Sequence, residues 1–336
     1  MRLLIVGAGA TIAEAEMMRS GLSESLPTMA NFCNKLFQNQ PVVQRTLALY
    51  LTDKGISYNP TFIDFLNGNL GETISREKIT STPLDVFLKL EREEPENHNV
   101  ETFFEYAWNH FGETHPDIWD VLIYWTIYLG LFPPFTTIFH KNGVGYKKMI
   151  AGAIICNELT NEDIVLNLNY DVCFDIAIKQ CFGNYCYAPN KQEGAVEIFK
   201  PHGSLNLFVN RGKNRFMFCD PEEIPGTVTY PDPEGGYWKG RYGIVPPRLN
   251  KKYSQHPLAK TILNNIKSYK PDVVTFWGVG LTNSDIDLLE IYKNACHSAE
   301  TIEFINPSID ALNKAKRLLE SDLKHYENIN YWKDVK

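Results

Sequence analysis

Nowhere in this chain do two of the seven cysteines form a C-x-x-C pair. Cys33, Cys156, Cys173, Cys181, Cys186, Cys219 and Cys296 are scattered, which fits reduced thiols in a cytoplasm better than a disulfide framework or a zinc site; no metal is expected. Positive charge is also scarce. Lys and Arg number 33 against 40 Asp and Glu, a formal net charge of −7, so bulk attraction to nucleic acid or an anionic membrane is not expected. A leader peptide is argued against by length: the apolar "LLIVGAGA" after Arg2 ends near residue 10, where a secretory signal needs roughly 15–30 residues. One uncharged run, Val121 to Phe139, is long enough to consider as a membrane span. Pro133-Pro134 is expected to break its helix, and its aromatics are spread along it instead of gathering at the ends. A buried helix, a turn and an oligomer surface account for it. The expectation is a soluble, cytoplasmic protein without internal repeats.

What is present is an ordinary globular composition, 44% hydrophobic and 22% charged, in 336 residues, enough for a sizeable core. Leu3 to Val6 reads as a short buried strand. Helical periods follow almost without strand signal: "PVVQRTLALYLTDKG" with Gly55 as its stop, "NVETFFEYAWNHFG", "HPDIWDVLIYWTIYLG" and "YKKMIAGAIICNEL". The charged "EREEPENHN" (Glu91 to Asn99) reads as a solvated connector. After residue 160 strands and helices alternate: "DIVLNL", "CFDIAIKQCFG", "VEIFK", "DVVTFWGV", "SDIDLLEIYKNACH", "TIEFIN", "SIDALNKAKRLLESDL". That alternation predicts an α/β fold with a mostly parallel sheet flanked by helices. Asp220 to Leu249, rich in proline and glycine, reads as a loop excursion. The expected organisation is one α/β domain from residues 1–40 and 160–336, with a large helical insertion at 41–159 after the first strand.

Directly after the first strand stands Gly7-Ala8-Gly9. Such a turn lets backbone N–H groups come close to a ligand, and the helix that follows adds its positive dipole end, which suits a pyrophosphate. A hydride-transfer Rossmann fingerprint needs a third glycine where this chain has Ile12, and an acidic residue about 20 positions on, whereas Leu26 to Phe37 contains none. That reading is disfavoured. A plain packing turn stays open.

Three more turns fall at strand ends: "NYD" (Asn169 to Asp171), "HGS" (His202 to Ser204) and "GVGLTNSDID" with Gly278 and Gly280. Ligands of open α/β sheets bind outside the carboxyl ends of the strands. Each turn also has a plainer reading: Asp171 as a helix N-cap, Asn169 as a turn residue, His202 as a loop or core histidine. Ser284-Asp285 reads as a helix N-terminus, with Asp287 in its first turn and no chemistry attached.

The ordered series "GAGAT", "NYD", "HGS", "GxGLxxSDxD" and "INPS" resembles the sirtuin-like NAD-binding family, and within it the bacterial sirtuin-like NAD+ hydrolases of anti-phage defence. The resemblance covers residues 1–15 and about 163–320 and implies a Rossmann-like, sirtuin-type sheet. It further implies that Gly7, Ala8, Gly9, Ala10 and Thr11 hold the pyrophosphate and that Gly278 and Gly280 let the dinucleotide pass. Asn306, followed here by Pro307, would bond the adenosine ribose. Asn169 and His202 would flank the nicotinamide ribose, with Asp171 bonding the carboxamide. The implied reaction is cleavage of the nicotinamide–ribose bond of NAD+, which is a substrate here, to nicotinamide and ADP-ribose.

The chemistry suits those residue types. Nicotinamide leaves neutral from an already cationic ring, so the two carboxylates of an O-glycosidase are not required. An amide such as Asn169 can orient water, and a neutral imidazole at His202 can take its proton near pH 7. Sirtuin deacylases carry a zinc on two cysteine pairs downstream of the histidine. Here only Cys219 and Cys296 follow His202, so peptide deacylation is the weaker alternative. A non-catalytic NAD or ADP-ribose sensor is another. Tyr124, Trp125, Tyr128, Phe132, Phe135 and Phe139 would cover the NAD site, face a second copy, or form their own core. A free-running NADase would poison its host, so control by homo-oligomerisation or by a regulatory partner is expected.

Overall fold

The computed structural model describes residues 1–19, 21, 26–28, 31–37, 40–59, 63–64, 82–141, 145–210, 213, 215–222, 229–239, 244–249, 251, 253 and 257–336. The chain forms two compact units. One comprises Met1–Thr28, Phe132–Val245 and Lys251–Lys336; the other comprises Met29–Leu131 and Pro246–Asn250.

The first unit is built on seven strands: β1 (Arg2–Val6), β2 (Ile164–Asn167), β3 (Tyr185–Tyr187), β4 (Val196–Phe199), β9 (Val273–Trp277), β10 (Thr301–Ile305) and β11 (Lys324–Tyr326). They lie in the order β11-β10-β9-β1-β2-β4-β3, every neighbouring pair parallel. Strands β2 to β4 lie on one side of β1 and β9 to β11 on the other, so the carboxyl edge beside β1 and β9 is a topological switch point. Both faces are apolar because side chains alternate along each strand. Leu4, Val6 and Val165 enter one core with Ala10, Phe135, Ile155 and Ile176, whereas Leu3, Ile5, Val274 and Phe276 enter the other with Ile262, Leu288 and Leu312. Helices cover each face, so the fold is α/β with a parallel, Rossmann-like sheet. Burying each such aliphatic side chain contributes roughly 1.5–3 kcal/mol.

Two expectations are corrected here. The stretch read as a loop excursion contains β7 (Thr229–Pro231) and β8 (Tyr237–Lys239), which join β5 (Leu207–Asn210) and β6 (Arg215–Phe218) in an antiparallel sheet ordered β6-β5-β8-β7. The "DPEGG" glycines make its hairpin turn, Gly235 at φ +101 and Gly236 at φ +84, while the Asn210 amide donates to Asp232 (2.8 Å) and to the Gly235 carbonyl (3.1 Å). The prolines at 133 and 134 do not break their helix, which runs Leu129–Phe139 straight through them. A π turn at Tyr124–Tyr128 precedes it, and the buried Phe135, Ile138 and Phe139 anchor the part beyond the prolines, so packing outweighs the two missing N–H donors. Pro116–Phe139 as a whole is long and apolar enough to cross a membrane by length and composition, with 50% of its most apolar window buried in the fold.

The second unit is helical. Its helices include Pro41–Asp53, which opens on a proline without a side-chain cap, and Pro83–Glu93 and Val100–Ala107, which start on capping boxes at Thr82 and Asn99. Gly55, at φ +69, follows the first of them where the sequence places a stop. Phe37, Phe87, Phe103 and Phe104 pack together in tilted and edge-on pairs, Phe37 and Phe103 tilted with centroids 4.5 Å apart. Tyr128 is buried in this unit and Trp125 is 37% exposed, whereas Phe135 and Phe139 are buried in the core of the first unit.

Candidate functional site

Each functional turn caps the carboxyl end of a parallel strand. Gly7 leaves β1 and is the N-cap of the helix Ala8–Met17, with no side chain doing the capping. What comes close to the glycines is the turn after β9. The Gly7 N–H donates to the Trp277 carbonyl (2.9 Å) and the Gly9 N–H to the Gly278 carbonyl (3.0 Å). A Cβ at Gly278 would lie 2.2 Å from the Ala10 nitrogen, and Gly278 itself has φ +62, so only glycine fits there. A Cβ at Gly7 would stand 2.6 Å from the Gly278 oxygen, and one at Gly9 2.8 Å from the Gly278 Cα. These three glycines are therefore required by the interlocking of two protein turns. Gly280 differs: it is exposed, and a Cβ there meets none of the described residues within 4 Å. Its surroundings leave room for a ligand.

Thr11, Asn169 and Asp171 form one buried group. The Asn169 amide donates to the Gly7 carbonyl (3.0 Å) and to the Thr11 hydroxyl (3.1 Å), and that hydroxyl donates to Asp171 (3.0 Å). Asp171 also accepts the Cys173 N–H (2.9 Å) at the start of the helix Cys173–Phe182, but the N-cap is Val172, so Asp171 lies one residue outside the cap position. Burial pushes its carboxyl above the usual range, partly offset by Lys200 and by the bonds it accepts.

Beneath this group lies an ion pair that the sequence reading misses. Lys200 and Asp175 are both 0% exposed and 2.9 Å apart. Lys200 also donates to the Asp171 carbonyl (2.7 Å), and Asp175 accepts from Asn167 (2.7 Å) and Tyr187 (3.1 Å). Asn167 in turn accepts the Asn169 N–H (3.0 Å). The pair thus holds the "NYD" turn by its backbone at both ends. Only the lysine that ends "VEIFK" hints at it in the sequence.

His202 follows β4 and belongs to a second group. Its Nδ1 sits 3.0 Å from the Leu168 carbonyl, the residue before Asn169, and its Nε2 sits 2.5 Å from the Tyr253 hydroxyl. Tyr253 stands 2.9 Å from Asp285, and Asp285 pairs with Lys251 at 2.6 Å. Burial and the Lys251 charge push His202 down to about 4, with Asp285 and the Leu168 carbonyl opposing, so the ring is neutral at pH 7. Among the described residues no hydrogen bond joins Asn169 to His202 directly. Asp285 stands at the helix N-terminus the sequence predicts, as N-cap of Ile286–Ser298 with Asp287 in the first turn, but its carboxylate makes no cap bond and binds Lys251 and Tyr253 instead. Neither Lys251 nor Tyr253 carries any sequence signal.

Asn306 ends β10. Its amide donates to the Val279 carbonyl (3.2 Å) between the two glycines, and its side-chain oxygen accepts the Ser308 N–H (2.9 Å), tying the β9 turn to the next helix. Among the described residues no group of three or more histidine, cysteine, aspartate or glutamate side chains is arranged to hold a metal ion.

No family model matches the chain, and no curated protein does. Solved structures similar to it include a Sir2 homologue mutant in complex with ADP-ribose, at 12% identity and a TM-score of 0.36, covering 95% of this chain and 90% of that one. Another is a Sir2 homologue in complex with NAD, at 13% identity and a TM-score of 0.36, covering 99% and 87%. Scores of this size leave the architecture to rest on the strand order and register given above, which make the chain an α/β protein with a parallel, doubly flanked sheet and a polar cluster at its switch point.

Proposed function

We propose that this chain is an NAD+ hydrolase that releases nicotinamide and ADP-ribose, depleting NAD+ in anti-phage defence under the control of assembly or of a partner protein. The observation that carries the reading is the union of Thr11, Asn169 and Asp171, drawn from two distant turns into one buried hydrogen-bonded group at the sheet's switch point. This is where an open α/β sheet takes its ligand. In this reading the N-terminus of the helix Ala8–Met17 faces the diphosphate, and Asn306 together with the open space at Gly280 receives the adenosine half. Asp171 bonds the carboxamide. Asn169 orients the attacking water, and His202 takes its proton as the water oxygen bonds to the ribose carbon and nicotinamide departs with the glycosidic electron pair. Incubating the pure protein with NAD+ and separating the products tests it: nicotinamide and ADP-ribose in equal amounts are expected.

A second reading, a sensor that binds NAD+ or ADP-ribose without turnover, is favoured by one specific observation. Both nitrogens of His202 are engaged by protein groups. Stoichiometric binding with no nicotinamide formed would decide for it.

A further inference from the structure

We infer that Tyr253 is a cap on His202, placed so that the histidine is no base until the phenol is moved away. The inference rests on the hydrolase reading, in which His202 takes the proton of the attacking water.

A carbonyl oxygen only accepts, so the Nδ1 facing Leu168 carries a proton. The lone pair of a neutral ring therefore lies on Nε2, and Nε2 faces the Tyr253 hydroxyl at 2.5 Å. Two proton arrangements are open to His202, Tyr253 and Asp285, because the phenol has one proton to donate: given to Nε2, it leaves the 2.9 Å contact with Asp285 without one. In the neutral one the phenol donates to Nε2, and Lys251 holds the Asp285 carboxylate. In the cationic one Nε2–H donates to the phenol oxygen, and the phenol donates to Asp285. Burial and Lys251 favour the first, Asp285 the second. Neither leaves a lone pair for substrate: the first has spent it on the phenol, and the second has already protonated it.

A proton shuttle through Tyr253 would place the phenol oxygen in contact with the substrate. Tyr253 is only 1% exposed, it packs in the core with Leu281 and Leu288, and its oxygen is held between Nε2 and Asp285. Its ring lies nearly parallel to the imidazole, 15° off at 5.8 Å. It is placed to cover the base. Lys251 and Asp285 keep it there, and this device would hold turnover low until assembly or a partner displaces the Tyr253 phenol from His202.

The test compares the wild type with Tyr253→Phe, which keeps the ring, and Tyr253→Ala, which removes it; thermal unfolding verifies that each is folded. Two quantities are read: nicotinamide released from NAD+, and the Nε2 resonance of His202 in 15N-histidine-labelled protein, assigned with His202→Asn. Expected are a shift of that resonance towards an unbonded imidazole nitrogen and a rise in nicotinamide release of about tenfold or more, largest for Tyr253→Ala. A freed nitrogen with equal or slower release than an active wild type overturns the cap and makes Tyr253 part of the catalytic chain. An unmoved resonance overturns it as well. A freed nitrogen in variants that bind NAD+ but release no nicotinamide removes the hydrolase reading, and the cap as a control of turnover falls with it; the freed nitrogen tells this result from a cap that fails by itself.

Discussion

The side-chain amide of Asn169 bonds both the carbonyl of Gly7 and the hydroxyl of Thr11, closing the gap between the first strand's turn and a turn 162 residues further on. The first strand's turn contributes backbone groups and one hydroxyl; the later turn contributes an amide and a carboxylate. Thr11 is the hinge of the group, because its hydroxyl accepts from the amide and donates to Asp171.

Asn169→Ala is therefore expected to abolish nicotinamide release, by about 100-fold or more, while the thermal transition moves little. Thr11→Val, which keeps the volume and loses the hydroxyl, is expected to weaken NAD+ binding and to lower the rate less. Isothermal titration alongside the rate assay separates the two. Full turnover by Asn169→Ala would remove that residue from the site.

Breaking the buried ion pair tests whether the "NYD" turn is positioned from beneath. Lys200→Met leaves Asp175 charged, buried and without its cation, and is expected to cost about 3–5 kcal/mol of stability. The double variant Lys200→Met/Asp175→Leu removes both charges and should recover much of that loss. Turnover should not return with it, since the Asp171 carbonyl and Asn167 have lost the groups that fix them. A stable double variant with wild-type kinetics would show that the pair serves the core alone.

The glycines of the β9 turn should part company. Gly278→Ala forces a side chain against the Ala10 nitrogen at a positive φ, and is expected to unfold or strongly destabilise the chain. Gly280→Ala meets open space and should leave the melting temperature within about 2 °C while raising the KM for NAD+. A destabilised Gly280→Ala with an unchanged KM would show that Gly280 serves the fold alone.

Stability should carry a signature of His202. Its folded value of about 4 lies below the ordinary 6.5, so between those values the unfolded chain binds more protons and stability rises with pH. Acidification from pH 6.5 to 4 should thus remove about 2–3 kcal/mol through this group alone. The raised carboxyls of Glu14 and Asp171 act in the opposite sense over acidic pH, so the test is the difference between wild type and His202→Asn. Parallel stability curves for the two would show that His202 is not depressed.

Much of the sheet is legible in the sequence because β1, β2, β4, β9 and β10 are apolar runs that end in glycine, asparagine or histidine turns. The three-residue strands β3, β7, β8 and β11 are too short to show a period, and the "DPEGG" hairpin looks like loop because its glycines and proline dominate the composition. The helix through Pro133 and Pro134 is a tertiary result, secured by buried phenylalanines, and no local preference announces it. At the site, the turn residues are visible because strand ends are visible. Tyr253 and Lys251 lie in an irregular stretch, and Asp285 has the look of a helix cap; only the fold reveals that all three converge near one imidazole.

The most direct test of the hydrolase reading is a time course of NAD+ with the pure protein, wild type beside Asn169→Ala, products separated and quantified. Nicotinamide and ADP-ribose are expected to rise together in Tyr253→Phe, to rise together about tenfold or more slowly in the capped wild type, and to be absent with Asn169→Ala. NAD+ recovered intact from both the wild type and Tyr253→Phe, or consumed at the same rate by Asn169→Ala, would contradict it.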